Sequence, residues 1–251
     1  MGRRDCRPRG MVGALWLMLL MVVAGLAGCR TTARAVGPVP PPAGYAGRAA
    51  LNAALLFDRI ELVDLQPHVP ASLDHAVGIP YRTADGKTLE LDIIRPKTLT
   101  DPAPVLVFIH GGSWKGGDRL DYLPYLVAYA EAGYVTVTVS YRLMQDAPFP
   151  AAVSDVNCAL IWLLRHAEEY SIDPDRAVLI GGSAGAHLAL LAAYATDCAL
   201  GCDTPGRPVT VRGVVDFYGP VDLTTDFAVG HPTVEEFLDT TFEERPEVYR
   251  I

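Results

Sequence analysis

A serine set among glycines, Gly181-Gly182-Ser183-Ala184-Gly185, is the stretch of this 251-residue chain best suited to covalent chemistry. An apolar run, Ala177-Val178-Leu179-Ile180, leads into it, and an alanine- and leucine-rich run from Ala186 to Ala195 leads out. That order predicts a strand, a sharp turn and a helix, with the serine at the apex. Glycine suits a turn in which the backbone comes so close to its neighbours that no side chain fits. The following helix would aim its N-terminal N–H groups at the serine oxygen, where they stabilise negative charge. A G-x-S-x-G string also occurs in turns without chemistry. The strand–turn–helix setting is what makes Ser183 the candidate nucleophile.

A second turn, His110-Gly111-Gly112-Ser113-Trp114, follows the apolar run Pro104-Val105-Leu106-Val107-Phe108-Ile109. Its glycines would let backbone N–H groups face an incoming oxygen with no side chain between them. Gly112 and Ser113, together with Ala184 directly after the serine, form a candidate oxyanion hole. Loss of one donor from such a hole typically raises the barrier by about 3–4 kcal/mol. The alternative is a glycine turn that merely closes a βα unit.

The elements that must hold these turns are legible from periodicity. Segments Ala76 to Arg82 and Leu89 to Arg95 are strand-like, with Ala84-Asp85-Gly86-Lys87 as the turn of an antiparallel hairpin at a sheet edge. Pro96 ends the second of them. Continuous apolar runs mark Pro104 to Ile109 as a strand buried on both faces, and Val135 to Ser140 is rich in β-branched residues. Helices are predicted from about Tyr122 to Ala132 and from about Ala151 to Tyr170. Val153, Val156, Leu160, Ile161, Leu163 and Leu164 make the apolar face of the second. Asp173-Pro174-Asp175-Arg176 reads as a turn, and Val211 to Tyr218 as a further strand. Strands alternating with helices of this length imply a parallel sheet covered by helices on both sides. Active sites in such sheets lie at the carboxyl ends of strands. His110 to Ser113, Ser183, and Gly219 to Asp222 all fall at such ends.

Half of the residues are hydrophobic, so one α/β domain can bury a sizeable core, and the formal charge of −8 argues against a nucleic-acid partner. No tight array of His and Cys suggests a metal, and nothing calls for a cofactor. Cys198 and Cys202 sit in a loop where a small-loop disulfide could form, whereas Cys158 reads as a buried thiol in a helix. From Ala49 to Leu65 apolar residues recur at helical spacing, so a helix is expected to lead into a domain spanning 49–251.

The N-terminus carries Arg3, Arg4, Arg7 and Arg9, an apolar segment from Met11 to Leu26, and then Leu26-Ala27-Gly28-Cys29. This resembles a bacterial lipoprotein signal over 1–28, with Cys29 lipidated as the mature N-terminus. The alternative is a plain secretory signal or an uncleaved anchor. Residues 29–48, with Gly37-Pro38-Val39-Pro40-Pro41-Pro42, would form an extended tether. Because Arg30 follows the cysteine, the resemblance implies lipid anchoring in the bacterial cell envelope, at the outer membrane and facing the periplasm.

His110-Gly-Gly-Ser-Trp, Gly-Gly-Ser183-Ala-Gly and Asp216-Phe-Tyr-Gly-Pro-Val-Asp222 together resemble α/β-hydrolases of the hormone-sensitive-lipase-like carboxylesterase group. The nearest likeness is to the bacterial esterases related to feruloyl esterases. Ser140-Tyr141-Arg142-Leu143 and Phe149-Pro150-Ala151-Ala152 extend the likeness, which covers roughly 79–251. It implies an α/β-hydrolase fold of three layers, a small-molecule ester as substrate and an acyl-enzyme mechanism. One departure is local, since Ser113 stands where the family carries a third glycine.

The other departure concerns the base. In this fold the triad runs Ser, then Asp or Glu, then His. Pro246-Glu247-Val248-Tyr249-Arg250-Ile251 looks like the segment just before the strand that carries the acid. The last strands and the acid and histidine loops are therefore expected to be missing, with an unpaired sheet edge in their place. Of the remaining histidines, His110 belongs to the oxyanion turn, His187 should point along its helix and His166 sits near a helix end. His68 and His75 precede the sheet, and His231 is the outside candidate for a base. Asp222 is expected to cap the turn Asp222-Leu223-Thr224-Thr225 rather than serve as the triad acid. Little or no esterase activity is expected from the chain alone. It would be a catalytically inactive lipid-anchored remnant or binding module, or one half of an esterase completed by a complementing C-terminal chain.

Overall fold

The computed structural model describes residues 49–50, 53–54, 68–195, 202 and 208–250. The chain divides into two compact units, Met1–Asp64 and Leu65–Ile251. In the first unit only the helical residues 49, 50, 53 and 54 are described. The expected signal over 1–28, the tether, the lipid-bearing Cys29 and most of the expected Ala49 to Leu65 helix lie outside the described residues.

Among the described residues, the second unit is built on six strands: β1 (Leu73–Ala84), β2 (Lys87–Pro96), β3 (Ala103–Ile109), β4 (Val135–Val139), β5 (Ile172–Gly182) and β6 (Val211–Phe217). They lie in the order β1-β2-β4-β3-β5-β6. β1 and β2 form the antiparallel hairpin at one edge, and Asp85 and Gly86 turn it with φ of 49° and 78°. Two residues at positive φ suit the right-handed twist of the flanking strands. Pro80 is tolerated because β1 is an edge strand. β2 meets β4 antiparallel, while β4, β3, β5 and β6 run parallel.

Period-two alternation splits the core between the two faces of the sheet. Leu106, Phe108 and Ile180 point to one face, where Leu123, Leu126 and Val127 of helix α1 (Leu123–Glu131) cover them. Val107, Ile109 and Leu179 point to the other, under α2 (Ala151–Arg165) and α3 (Ala184–Tyr194). A short helix, α4 (Pro232–Leu238), adds Phe237 and Leu238 to this second core. Strands at the centre of such a sheet are apolar along their whole length because both faces are dry.

Three local expectations change. The helix expected to reach Tyr170 stops at Arg165, where the His166 ring stacks on Trp162 with centroids 3.8 Å apart and its Nδ1 lies 2.8 Å from the Trp162 carbonyl oxygen. The turn expected at Asp173 to Arg176 is instead a bulge inside β5, since the pairing jumps from Pro104↔Asp173 to Val105↔Ala177. His75 does not precede the sheet but lies within β1.

The cysteine expectation is also corrected. Cys158 of α2 is not a buried thiol but is joined to Cys202 in a disulfide, with Cα atoms 4.9 Å apart. That separation suits a disulfide, and the pair is 44 residues apart in sequence, so only the folded chain brings it together. Cys202 is therefore unavailable to Cys198, which lies outside the described residues.

A buried ion network ties the hairpin to α2. Asp155 is fully buried and accepts from the Arg142 backbone N–H, Nε and Nη2, each at 2.9 Å, and from Arg82 Nη1 at 2.6 Å. Arg142 also reaches Asp85 in the hairpin turn at 2.6 Å. Breaking such a pair from one side leaves buried charge uncompensated. Asp155→Ala is accordingly expected to cost about 3–5 kcal/mol. Urea unfolding should show this as a lowered midpoint at unchanged slope, and a shift under about 1 kcal/mol would refute the assignment.

Candidate active site

Ser183 stands between β5 and α3 with φ 53° and ψ −123°, a backbone conformation that a side-chain-bearing residue adopts only when its surroundings enforce it. Three hydrogen bonds do so. Its N–H donates to the Phe217 carbonyl at the end of β6, 2.9 Å away, and its own carbonyl accepts from Ala186 at 3.0 Å and His187 at 3.2 Å. The glycine at 185 is required by close approach: a Cβ there would collide with the carbonyl oxygens of Ile109 and His110 at the end of β3. Ser183 is left partly exposed at the carboxyl edge of the sheet.

The turn after β3 lies directly against this apex. A methyl group at Gly111 would sit 2.6 Å from the Gly182 carbonyl oxygen and 3.6 Å from the Ser183 Cβ. Gly112, Ser113 and Trp114 then follow at φ of 110°, 54° and 57°. A third glycine would suit the position of Ser113, because left-handed backbone costs a non-glycine residue on the order of 1 kcal/mol. The serine holds the conformation and its side chain is exposed. The N–H groups of Gly112 and Ser113 bond to no described residue. Ala184 opens α3, whose first N–H groups have no acceptor within the helix. A carbonyl oxygen at this apex would therefore meet unsatisfied donors from two segments.

Three of the described histidines lie close to the site in sequence or are candidates for a base, and each is held by its own surroundings. His110 is buried, lies with Nδ1 2.9 Å from the Gly111 carbonyl oxygen and stacks on Tyr141, and burial lowers its pKa. His187 is 6% exposed and packs edge-on to Trp114 and Phe237, with ring centroids at 5.3 and 5.8 Å. Trp114 in turn stacks on Phe237 at 4.3 Å, so the segment after Asp222 reaches back to the turn after β3 through α4. Both Trp114 Nε1 and His187 Nδ1 are buried without a hydrogen-bond partner among the described residues. His187 also lines a cavity of about 340 Å³ with Leu190, Leu191, Tyr194, Pro220 and Val221. His231 caps α4, its Nδ1 accepting from the Thr233 N–H at 3.2 Å. Asp222 accepts from the Thr224 N–H and hydroxyl at 2.8 and 2.7 Å, and these bonds hold its pKa below the ordinary value. It caps its own turn. Among the described residues no histidine is hydrogen-bonded to the Ser183 hydroxyl.

This geometry agrees with what the chain is similar to. The BD-FAE family model matches residues 91–251. The chain belongs to the BD-FAE family. Its lineage is that of α/β-hydrolase carboxylesterases. Esterase LipQ of Mycobacterium tuberculosis is 34% identical over 191 residues, which is 73% of this chain and 43% of LipQ. The probable carboxylic ester hydrolase LipM of the same organism is 34% identical over 64% of this chain and 38% of its own. Among solved structures, butyrate-bound esterase Est2 of Thermogutta terrifontis superposes with a TM-score of 0.57 at 25% identity. It covers 68% of this chain and 64% of Est2. This BD-FAE chain spans about two fifths of the length of the curated relatives it matches.

Two aromatic residues that the sequence does not single out as site residues also border the apex: Tyr122, which lies in no motif, and Tyr218, which lies inside Asp216-Phe-Tyr-Gly-Pro-Val-Asp222. The one available signal was positional, since Tyr218 directly follows a strand that ends at the carboxyl edge.

The buried imidazole of His187 has a consequence for acid stability. Burial lowers its pKa from 6.5 to about 4. Between those values the unfolded chain holds the proton more tightly than the folded one, so stability rises with pH across the window. The contribution is complete above about pH 6.5 and is lost as the pH falls to about 4. Replacing His187 with Leu should remove about 3 kcal/mol of the difference in unfolding free energy between pH 7 and pH 4. Equal pH slopes for the two proteins in urea unfolding would refute this.

Proposed function

We propose that Ser183 is the nucleophile of a serine carboxylesterase and that the N–H groups of Gly112, Ser113 and Ala184 form its oxyanion hole. The observation that carries this reading is the left-handed Ser183 backbone set against free donors of the 110–114 turn. Ser183 Oγ bonds to the carbonyl carbon of a small carboxylic ester as the C=O π pair moves onto oxygen, where the donors receive it. The C–O bond to the alcohol then breaks and the alcohol leaves with a proton. Water repeats the sequence on the acyl-enzyme.

A base must take the Ser183 proton in the first step, and no described histidine is bonded to that hydroxyl. We therefore expect this chain by itself to hydrolyse 4-nitrophenyl butyrate slowly. The oxyanion hole and binding alone typically leave about 10³–10⁴-fold acceleration over water. Initial rates for the purified chain and for Ser183→Ala decide it. The part of the rate that Ser183 contributes should be lost in the variant, which keeps only the residual acceleration from the donors and binding. A rate indifferent to Ser183 would overturn the assignment in favour of a binding module, and turnover above about 1 s⁻¹ would overturn the expectation of impaired activity.

A specific observation favours a second reading, in which another polypeptide completes the site. β6 is the edge strand on the Ser183 side of the sheet among the described residues, and Val215 and Phe217 are 40% and 47% exposed along it. An apolar edge with free backbone groups is a template for strand addition. A strand laid there could bring an acid and a histidine to the carboxyl edge. In that case co-expression with the polypeptide encoded directly downstream should raise the Ser183-dependent rate by at least a thousandfold. An unchanged rate would rule that polypeptide out.

A further inference from the structure

Two tyrosine hydroxyls converge one residue before Ser183. A Cβ atom on Gly182 would lie 2.6 Å from the Tyr122 hydroxyl and 3.2 Å from the Tyr218 hydroxyl. The two oxygens are thus within about 6 Å of each other, a span that one substrate oxygen can bridge by two hydrogen bonds. Among the described residues neither hydroxyl bonds to another side chain.

The two phenols are held very differently. Tyr122 ends the 3₁₀ turn Arg119–Tyr122, which a capping box at Asp118 starts. Arg119 anchors that turn by donating to the buried Asp92 at 3.0 Å and by pairing with Glu90 at 3.2 Å. The Tyr122 ring packs on Phe108 with centroids 5.7 Å apart. Burial raises its phenol pKa, the neighbouring Tyr218 phenol adds to the rise and a bond from the Gly182 backbone N–H to the phenol oxygen opposes it, so the hydroxyl stays protonated and its own proton is left to donate. Tyr218 directly follows β6, is 83% exposed and has φ 51°. Its ring buries too little to offset a left-handed backbone that costs on the order of 1–3 kcal/mol. Packing does not explain why an aromatic residue stands there. Strained residues at the carboxyl end of a parallel strand cluster at ligand sites.

The phenols lie on one side of the sheet only. Trp114, Phe237 and His187 are buried in the core on the α2–α3 side, whereas Tyr122 packs on the core on the α1 side. On the α1 side Gly182 has no side chain, so the two hydroxyls approach the backbone next to Ser183.

We infer that the Tyr122 and Tyr218 hydroxyls form the subsite for the alcohol half of the ester, and that they select alcohols carrying a further hydroxyl over plain alkyl alcohols. This rests on the reading of Ser183 as the nucleophile. The phenols make no covalent step and act on binding and specificity.

The test uses 2-hydroxyethyl butyrate and propyl butyrate, which differ by one hydroxyl in place of a methyl group. Dissociation constants are measured by saturation-transfer NMR on the full chain carrying Ser183→Ala, so that nothing turns over. The hydroxylated ester should bind roughly three- to tenfold tighter than its partner. Tyr122→Phe and Tyr218→Phe, which remove one oxygen each and leave the rings in place, should each erode that preference, and the double variant should abolish it. No preference in the parent, or a preference intact in the double variant, overturns the subsite. Hydrolysis of both esters by the chain with Ser183 intact, compared with Ser183→Ala, separates the two ideas. Preference lost with the phenols but hydrolysis indifferent to Ser183 leaves the subsite standing and removes the esterase reading. Ser183-dependent hydrolysis with preference untouched by the phenols does the reverse.

Discussion

Three backbone segments meet at Ser183 at distances that exclude side chains: the end of β3, the end of β5 and the first turn of α3. The space is so tight that a Cβ at Gly111 would lie 2.6 Å from the Gly182 carbonyl oxygen, and one at Gly185 would overlap the carbonyls of β3. This contact holds the Ser183 backbone at positive φ and leaves the residue partly exposed. It also brings the donors of the turn after β3 beside the donors opening α3. Without it there would be a serine and an N–H-bearing turn, but no common point for a reacting carbonyl.

The rest of the domain supports that contact from both faces. The parallel register Val105↔Ala177 to Ile109↔Gly181 sets the ends of β3 and β5 level, so their following turns emerge side by side. β6 then pins the apex through the bond from the Ser183 N–H to the Phe217 carbonyl. On one face the Asp155 network locks α2 against the hairpin, and the disulfide from Cys158 ties α2 to residue 202. On the other, the turn before α1 is held by Arg119 and Asp92. A hydroxyl needs such surroundings to be placed for attack, because a strained backbone persists only where neighbours over-determine it.

The burial of His187 follows from the same packing. Four residues after Ser183 on a helix, an imidazole could in principle approach the serine. Helical side chains instead lean toward the N-terminal turn and onto whatever covers them. Here that cover is Trp114 and Phe237, and desolvation by this apolar setting keeps the ring neutral. His231 is likewise turned from a candidate base into the cap of α4.

Much of the architecture was legible in the residues alone. Period-two and period-3.6 patterns are local consequences of which face is dry, so the strands, the helices flanking them and the hairpin at Asp85-Gly86 could be read directly. The glycine spacing around Ser183 and Gly112 likewise states that backbones must approach there, and Asp222-Leu-Thr-Thr states its own capping turn. Other features depend on residues distant in sequence. The partner of Cys202 is 44 residues away rather than four, because α2 and the loop before β6 lie together only in the folded chain. The stop of α2 at Arg165 reflects His166 stacking on Trp162, and the bulge in β5 reflects register with β3. Tyr122 lies in no motif and Tyr218 only within the Asp216 to Asp222 string, and their hydroxyls come together only where β6 and the turn before α1 converge on Gly182. Sequence by itself determined the elements and the serine-bearing turn, since local backbone and burial preferences specify both. Which side chains share that turn was decided by tertiary structure, because proximity across a sheet edge is a property of strand order and register.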